Sequence, residues 1–353
     1  MDKGKSRLAY ALGAGVGLAF LARALQRQRS RLDFHGKVVV ITGGSRGLGL
    51  LMARRFAQEG AQLALIARGA DRLERAARML AETGAVILTL PCDVRDRAQV
   101  EAALSQVIDR FGRIDVLVNN AGVIQVGPVE HITLEDYQEA MEVHFWGPLY
   151  AILAALPHMR QQEGGRIVNI TSVGGEVAIP HLAPYVASKY AFVGLSDALR
   201  AELAKDGIAI TTVVPGLMRT GSHVNALFKG NHRQEYTWFS VVNALPVAST
   251  DGNKAARQIV EACRYAEARQ TITLQARLLL LGNHIFPGMT AAVMKLANRL
   301  LPQFNPTQGY VARTGLESQA RWSPSALTAL ADLAAERNNQ LSGNSPSLRA
   351  FRE

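Results

Sequence analysis

Short apolar runs alternate with helical stretches along the chain from Lys37 onward. The runs are almost continuously apolar, as expected of strands that helices cover on both faces. The helical stretches include residues 71–82 and 98–111. This repetition predicts an α/β fold with a doubly wound parallel sheet in a single domain, residues 32–274. The predicted strands are residues 38–42, 63–67, 86–90, 115–119, 166–171, 208–214 and 271–274.

Beyond that domain the pattern becomes helical. Residues 278–301 are apolar and are interrupted by a Pro-Gly pair, and a further helix is predicted over residues 325–337. Residues 275–337 are therefore interpreted as an apolar, helical extension. From Asn338 the chain is rich in Asn, Ser and Gly, a composition that predicts a disordered tail over residues 338–353.

The N-terminal residues 1–31 contain an uncharged segment, residues 8–22, with basic residues on both sides. This segment is shorter than the ~20 residues that span a bilayer comfortably. Three interpretations stay open: a membrane anchor, a cleaved signal peptide, and a helix packed on the protein or on a partner. We favour the anchor, and the positive-inside rule then predicts that the main domain faces the cytoplasm. A cytoplasmic protein is the alternative.

The net charge of the chain is confined to its two ends. The formal charge is +10, yet residues 32–269 contain 24 basic and 24 acidic residues. Residues 1–31 contain seven basic residues and one acid, and residues 270–353 contain eight and four. This distribution argues against a basic face for nucleic acid, so no nucleic-acid partner is predicted. Two cysteines are too few for a disulfide framework.

A glycine-rich turn directly follows the first predicted strand and precedes a helix. Glycines at such a junction let the backbone turn tightly and approach a pyrophosphate at the helix N-terminus. We therefore predict that this turn binds a dinucleotide. Its candidate cofactor residues are Thr42, Gly43, Ser45, Arg46, Gly47, Leu48 and Gly49.

The end of the second strand decides which dinucleotide is expected. A site for NAD needs a carboxylate there to hold the ribose hydroxyls, but this chain has Ala67 and Arg68. The guanidinium groups of Arg68 and Arg46 can instead hold the 2′-phosphate of NADP by charge-assisted hydrogen bonds. The predicted cofactor is NADP.

Ser172, Tyr185 and Lys189 form a second candidate constellation. Ser172 follows a strand, and Tyr185 and Lys189 lie at i and i+4 of a predicted helix, on one face of it. A free phenol has a pKa near ~10, and an adjacent ammonium favours the phenolate and lowers that pKa. These residues can therefore transfer a proton.

Together these motifs resemble those of the short-chain dehydrogenase/reductase family over residues 32–274. The resemblance implies a Rossmann-type domain, a homo-oligomer, and an oxidoreductase in which Tyr185 exchanges a proton with the substrate oxygen. Ser172 would hydrogen-bond that oxygen, and Lys189 would lower the Tyr185 pKa and hold the nicotinamide ribose. The resemblance also implies cofactor contacts at Asp93, Val94, Asn119, Ala121, Gly122, Pro215, Gly216 and Thr220.

His144 stands where the family usually has an asparagine. In relatives that asparagine supports a local helix distortion, whose backbone carbonyl holds a water in the proton relay to the lysine. The carbonyl survives the substitution, and His144 could also titrate and join the relay as a catalytic residue. A purely structural replacement is the alternative. The other histidines have no metal-ligand spacing, so no metal is predicted.

The segment after Pro215 and Gly216 is expected to roof the substrate pocket. It is apolar, although its residues could instead be core or dimer contacts. We predict an NADP(H)-dependent oxidoreductase of lipid metabolism that acts on a lipophilic alcohol or ketone, such as a steroid, a retinoid or an acyl derivative. Two alternatives are a 3-oxoacyl thioester reductase of lipid synthesis and a non-catalytic NADP-binding regulator. The apolar roof residues are Leu217, Met218, Leu227, Phe228, Trp238, Phe239, Val241 and Val242.

Overall fold

The computed structural model describes residues 27–306, 309–320, 323 and 325–341. The uncharged N-terminal segment, residues 8–22, lies outside the described residues, so the predicted anchor stays a prediction. Within the described ranges, no helix combines the length and apolar character needed to cross a bilayer.

Seven parallel strands form the central sheet. They are β1 (Val38–Thr42), β2 (Gln62–Ala67), β3 (Ile87–Pro91), β4 (Val116–Asn119), β5 (Gly165–Ile170), β6 (Ile208–Pro215) and β7 (Arg269–Ile272). Their order across the sheet is β7-β6-β5-β4-β1-β2-β3. The winding direction reverses between β1 and β4, and ligands of such sheets bind at this switch point, beyond the carboxyl ends of the strands. The predicted α/β, doubly wound parallel sheet is confirmed.

Helices cover both faces of the sheet, and two apolar cores result. They are α1 (Gly47–Gln58), α2 (Ala70–Leu80), α3 (Arg97–Phe111), α4 (Leu134–Met141), α5 (Gly147–Gln161), α6 (Ala183–Leu203), α7 (His232–Ala244), α8 (Gly252–Arg264), α9 (Leu274–Ile285), α10 (Pro287–Asn298) and α11 (Ala329–Arg337). Residues of α1, α2 and α8 are buried against one sheet face, and residues of α3 and α5 against the other. Each strand of the inner sheet is therefore buried on both sides, which explains its continuously apolar sequence.

The end of β7 and the start of the last helix differ from the predicted boundaries, because side-chain hydrogen bonds fix them at other residues. β7 ends at Ile272 because Thr273 turns to φ +85 and its hydroxyl accepts a hydrogen bond from the Ala276 amide, which caps α9. The last helix begins at Ala329 and not at residue 325, since Ser325 and Thr328 form a hydrogen-bonded turn before it.

The chain does not become a disordered tail at Asn338. Asn338, Asn339 and Gln340 are buried, and the Asn338 carbonyl accepts a hydrogen bond of 2.8 Å from the Gly47 amide. Their amide side chains bond backbone groups, which offsets the cost of burying them. The prediction of disorder is therefore wrong for residues 338–341. Residues 342–353 lie outside the described residues.

Candidate active site

A cavity of about 540 Å³ opens beyond the carboxyl ends of β1 to β6, at the switch point of the sheet. It brings together most of the residues that the sequence singled out. The predicted residues among those lining it are Gly43, Ser45, Arg46, Gly47, Leu48, Arg68, Asp93, Val94, Ala121, Gly122, His144, Ser172, Tyr185, Lys189, Pro215, Gly216 and Thr220.

The glycine turn fits the close approach of a dinucleotide backbone. Gly43 and Gly47 have φ angles of +66° and +55°, a backbone conformation that residues other than glycine rarely adopt. A Cβ on Gly49 would lie 2.1 Å from the Gly43 carbonyl oxygen. The absence of side chains here therefore lets α1 start directly after the turn, with its N-terminus beside the cavity.

Thr42, Gly49 and Asn119 are not among the described residues that line the cavity. The Thr42 hydroxyl accepts hydrogen bonds from the backbone amides of Asn120 (3.0 Å) and Ala121 (3.2 Å). The Asn119 side chain donates to the Asn169 side chain at 2.9 Å, under the sheet end. Their direct contact with a cofactor stays a prediction, and in the structure these residues join β1, α1 and β4 beside the cavity.

Three guanidinium groups, those of Arg46, Arg68 and Arg72, lie at the end of the cavity beside the glycine turn. Burial, with the nearby charges of Arg72 and Arg68, lowers the pKa of Arg46 to about 10. Burial, with Arg75 and Arg68, also lowers the pKa of Arg72. Within the described residues, Nη1 of Arg46 is buried without a hydrogen-bond partner. The positive charges of these arginines repel one another, and a bound anion would relieve that repulsion. The cluster is therefore a site for a compact anion such as a phosphate.

The acidic residues that line the cavity, Asp93 and Glu139, form their salt bridges with Arg95. Burial raises the pKa of Asp93, but its hydrogen bonds with Arg95 and the charges of Arg95 and Arg68 lower it overall. Asp93 is bound by Arg95, with N to O distances of 3.0 and 2.7 Å. No carboxylate among the lining residues follows β2, where the chain reads Ala67, Arg68, Gly69.

Ser172, Tyr185 and Lys189 meet at the other end of the cavity. Ser172 follows β5, and its hydroxyl accepts a hydrogen bond of 3.0 Å from the Gly174 amide while it bonds the Tyr185 phenol. Lys189 is buried one helical turn after Tyr185 and donates to the Ile170 carbonyl at 3.0 Å. Its Nζ lies 5.8 Å from the centre of the Tyr185 ring.

The pKa values of this group differ in part from those that the resemblance implies. Burial raises the pKa of Tyr185, and the hydrogen bond with Ser172 opposes this only partly. Burial lowers the pKa of Lys189 to about 7. The net shift of the Tyr185 pKa is therefore upward, opposite to the direction that the resemblance implies, because burial is its largest cause.

His144 lies in a π-helix, Glu142–Trp146, between α4 and α5, so the helix distortion that the resemblance implies is present. Its Nε2 accepts a hydrogen bond of 3.1 Å from the Val123 amide, and its Nδ1 lies 2.8 Å from the Ser188 hydroxyl. That hydroxyl donates to the Tyr185 carbonyl at 2.9 Å. These bonds require a neutral ring with the proton on Nδ1.

Burial, with the charge of Lys189, holds the pKa of His144 well below its usual value. Both ring nitrogens are occupied by structural partners. The ring also packs edge to face on Tyr185, with 5.4 Å between ring centres. The geometry favours the structural interpretation of His144 over a titrating relay.

The substrate end of the cavity is largely apolar. Of the predicted roof residues, Leu217, Met218, Leu227 and Phe239 line it. Phe228 is instead fully buried in a neighbouring apolar core, as a core interpretation predicted. Asn243 adds one polar group, since it lines the cavity and its Oδ1 has no hydrogen-bond partner among the described residues.

Sequence reasoning missed Arg72, Asn225, Asn243 and Gln340, all of which line the cavity. Arg72 was detectable in principle, because it lies in the first turn of the helix that directly follows Arg68. Gln340 was not, since it lies 120 residues from Thr220, whose carbonyl accepts its side-chain amide at 3.3 Å.

Comparison with known proteins agrees with this geometry. The family model described as short chain dehydrogenase matches residues 37–228. The dehydrogenase/reductase SDR family protein 7-like of Anopheles gambiae is 39% identical over 212 residues, which are 59% of this chain and 67% of the relative. Dehydrogenase/reductase SDR family member 7B of Danio rerio is 38% identical over 223 residues, 61% of this chain and 72% of the relative.

A solved structure extends the likeness to the fold. L-Sorbose reductase from Gluconobacter frateurii, complexed with NADPH and L-sorbose, superposes with a TM-score of 0.62 at 28% identity. The match covers 68% of this chain and 97% of the reductase. The family model spans more than half of this chain and contains its glycine turn, Ser172, Tyr185 and Lys189. The chain therefore belongs to the short-chain dehydrogenase family of oxidoreductases.

Proposed function

We propose that this protein is an NADP(H)-dependent oxidoreductase that acts on a lipophilic alcohol or ketone. The observation that carries the proposal is one cavity with Ser172, Tyr185 and Lys189 at one end and three arginines at the other, none of them in a salt bridge among the described residues. The apolar lining next to the second group favours a lipophilic substrate over a sugar or a charged acid.

The residues present fit the cofactor. The unpartnered Nη1 of Arg46 is matched by a phosphate. The tight turn that the positive φ of Gly43 and Gly47 allows, directly before the N-terminus of α1, is matched by a pyrophosphate. Arg46, Arg68 and Arg72 would hold the 2′-phosphate. When bound, NADP(H) supplies or accepts the hydride.

Tyr185 holds the proton that the substrate oxygen gains or loses. Its raised pKa keeps the phenol protonated at neutral pH, so it is prepared to donate when a ketone is reduced. The Ser172 hydroxyl lies against the phenol and can bond the same substrate oxygen. Lys189, with its pKa of about 7, can accept or release a proton in the physiological range and so return Tyr185 to its starting state.

Attachment to a membrane through residues 1–31, a cytoplasmic orientation of the catalytic domain, and a homo-oligomeric state remain part of this proposal. Their support is the uncharged segment 8–22 with its basic flanks, and the family to which the chain belongs. A fractionation of cells that express the full chain, with a high-salt alkaline wash, tests the first of these. Release of intact protein into the soluble fraction would contradict it.

The activity is tested with a panel of lipophilic ketones and alcohols. L-Sorbose-like polyols and carrier-bound 3-oxoacyl thioesters are assayed beside them as comparison substrates. We expect oxidation of NADPH with one or more lipophilic ketones and none in the Tyr185→Phe variant. Turnover restricted to the thioesters would favour the fatty-acid type of reductase. Tight NADPH binding without turnover on any class would favour a regulator.

A further inference from the structure

Helices α9 and α10 form a hairpin, residues 274–298, that exposes large apolar side chains. On α9 these are Leu278, Leu281 and Ile285, which are 60%, 55% and 56% exposed. On α10 Met289, Val293 and Leu296 are 59%, 55% and 60% exposed. Isolated exposed apolar residues are common in proteins, but a contiguous group of this size marks an interaction surface.

The exposed residues form one strip on each helix. In both helices they recur at spacings of three and four residues, and therefore lie on one face. The opposite face of α9 is occupied, since Ala276 and Leu280 are buried and Leu280 packs in an apolar cluster with Val177 and Val214. On α10, Met294 packs against the same cluster. Both helices thus contact the body, and the exposed strips lie on their other faces.

The charge around the hairpin indicates what covers it. Residues 268–316 contain no aspartate or glutamate. Exposed cations, Arg277, Lys295 and Arg299, lie on or directly after the two helices. A second copy of this chain fits poorly, because a two-fold contact would place these cations opposite one another with no acid in the segment to pair with them. An apolar strip with cations beside it matches the surface of a bilayer that contains anionic phospholipid.

The hairpin also borders the cavity. A Cβ on Gly216, which lines the cavity, would lie 3.2 Å from the Ala276 side chain of α9. A bilayer that receives the apolar strips would therefore lie close to the substrate end of the site. We propose that the α9–α10 hairpin is a docking surface for anionic phospholipid membranes, independent of residues 1–26.

The test uses the full chain with one environment-sensitive fluorophore on the hairpin. Cys92 and Cys263 are buried, so a Leu281→Cys variant offers one exposed thiol for labelling. The matched control is Val86→Cys, since Val86 is 45% exposed and precedes β3 at the opposite edge of the sheet. Vesicles of phosphatidylcholine alone are compared with vesicles that also contain phosphatidylglycerol.

We expect a blue shift of the label at position 281 with phosphatidylglycerol vesicles, and little change at position 86. Attachment through the N-terminal segment alone would leave both labels in water and overturn the proposal. A shift at position 281 that follows protein concentration without vesicles would also overturn it, in favour of a second copy.

The charge requirement is tested in the Leu281→Cys background with Arg277→Gln, Lys295→Gln and Arg299→Gln combined. At about 1 kcal/mol for each cation near the bilayer, the vesicle concentration for a half-maximal shift should rise up to roughly 100-fold. The control combination Arg277→Lys, Lys295→Arg and Arg299→Lys should leave it nearly unchanged. An equal midpoint for both combinations would contradict the role of charge.

A separate observation concerns residues 338–341, which lie across the cofactor end of the cavity. The Asn339 side-chain amide donates to the carbonyls of Ser45 (2.8 Å) and Arg72 (3.0 Å). On the other side of the cleft, Asn225 donates to the Gln340 carbonyl at 2.9 Å, and Gln340 donates to the Thr220 carbonyl. The segment thus bridges the glycine turn and the loop after β6, and Gln340 lines the cavity.

We propose that residues 338–341 form a strap that closes over the bound dinucleotide and slows its release. This inference rests on the proposed function. Because the strap bonds both walls of the cleft, these bonds must break before a dinucleotide can leave. The strap lies outside the residues 37–228 that the family model matches.

The strap is tested by stopped-flow measurement of NADPH release from the unmodified protein and from Asn339→Ala combined with Gln340→Ala. Loss of hydrogen bonds worth about 1 kcal/mol each should raise the release rate at least tenfold. Gln303→Ala, an exposed position outside the strap, is the control. Tight NADPH binding with equal release rates would overturn the strap alone, whereas weak NADPH binding by the unmodified protein would contradict the proposed function.

Discussion

The body that the family model matches, residues 37–228, and the C-terminal region after β7 contribute in different ways. In the body most candidate functional residues follow a strand or lie in the first turns of a helix, so local structure sets their positions. In the C-terminal region the exposed hairpin and the strap act through contacts with distant parts of the chain or with other molecules. We infer that the body contains the chemistry, and that the C-terminal region controls access to it.

The strongest test of that division is Tyr185→Phe, which removes only the phenolic hydroxyl. We expect kcat to fall by roughly 10²- to 10⁴-fold, because the group that exchanges the proton is lost. NADPH affinity, measured by fluorescence titration, should stay within a few-fold of the unmodified value, since the ring still packs on His144. A variant with near-normal turnover would remove Tyr185 from the mechanism.

Arg46→Ala combined with Arg68→Ala should weaken NADPH binding by roughly 100-fold, because charge-assisted hydrogen bonds to a phosphate contribute about 1.5–3 kcal/mol each. NADH binding, which involves no 2′-phosphate, should change far less. Isothermal titration with both dinucleotides measures the two effects together. Arg54→Ala combined with Arg55→Ala on α1 is the control for loss of surface charge.

Lys189→Met should change the pH dependence of stability. In the unfolded chain the lysine stays charged up to about 10.4, whereas its pKa in the folded protein is about 7. Its burial therefore destabilises the protein fully below pH 7, and this destabilisation is lost as the pH rises from 7 towards 10.

The free energy of unfolding of Lys189→Met, relative to the unmodified protein, should accordingly decrease over that same pH range. Urea unfolding of the cofactor-free proteins at pH 6, 8 and 10 measures this difference. A difference that is constant with pH would contradict the lowered pKa of Lys189.

His144→Asn should have the smallest effect. Because His144 is neutral and both of its nitrogens have structural partners, the variant should keep the pH profile of kcat unchanged near pH 6.5. We expect kcat itself to fall by only a few-fold. Loss of a titration step near pH 6.5 would instead place His144 in the proton relay.

The comparison of the two regions also explains what the sequence could predict. The apolar runs of β1 to β6 gave the sheet, because buried parallel strands are apolar throughout. Ser172, Tyr185 and Lys189 were recognisable, since each stands at a fixed distance from a strand end or within one helical turn. Most of the candidate cofactor residues that line the cavity followed from the same logic.

The remainder depended on packing that no local pattern encodes. Residues 338–340 have the composition of a disordered tail. Their side-chain amides find hydrogen-bond partners only because α11 packs beside the cleft and places them there. The contacts of Thr42 and Asn119 could be predicted only if the pairing of β1 with β4 in the sheet were known. The direction of the Tyr185 pKa shift depended on how deeply the phenol is buried, which sequence does not give.

The central claim, an NADP(H) site in the body of the protein, is tested most directly by the dissociation constants of NADPH and NADH for the unmodified full chain. The three arginines that line the cavity, none of which is in a salt bridge among the described residues, should make NADPH bind at least tenfold more tightly than NADH at moderate salt. That ratio should shrink as ionic strength rises, because the phosphate contact is screened. Equal affinities, or tighter binding of NADH, would contradict the account.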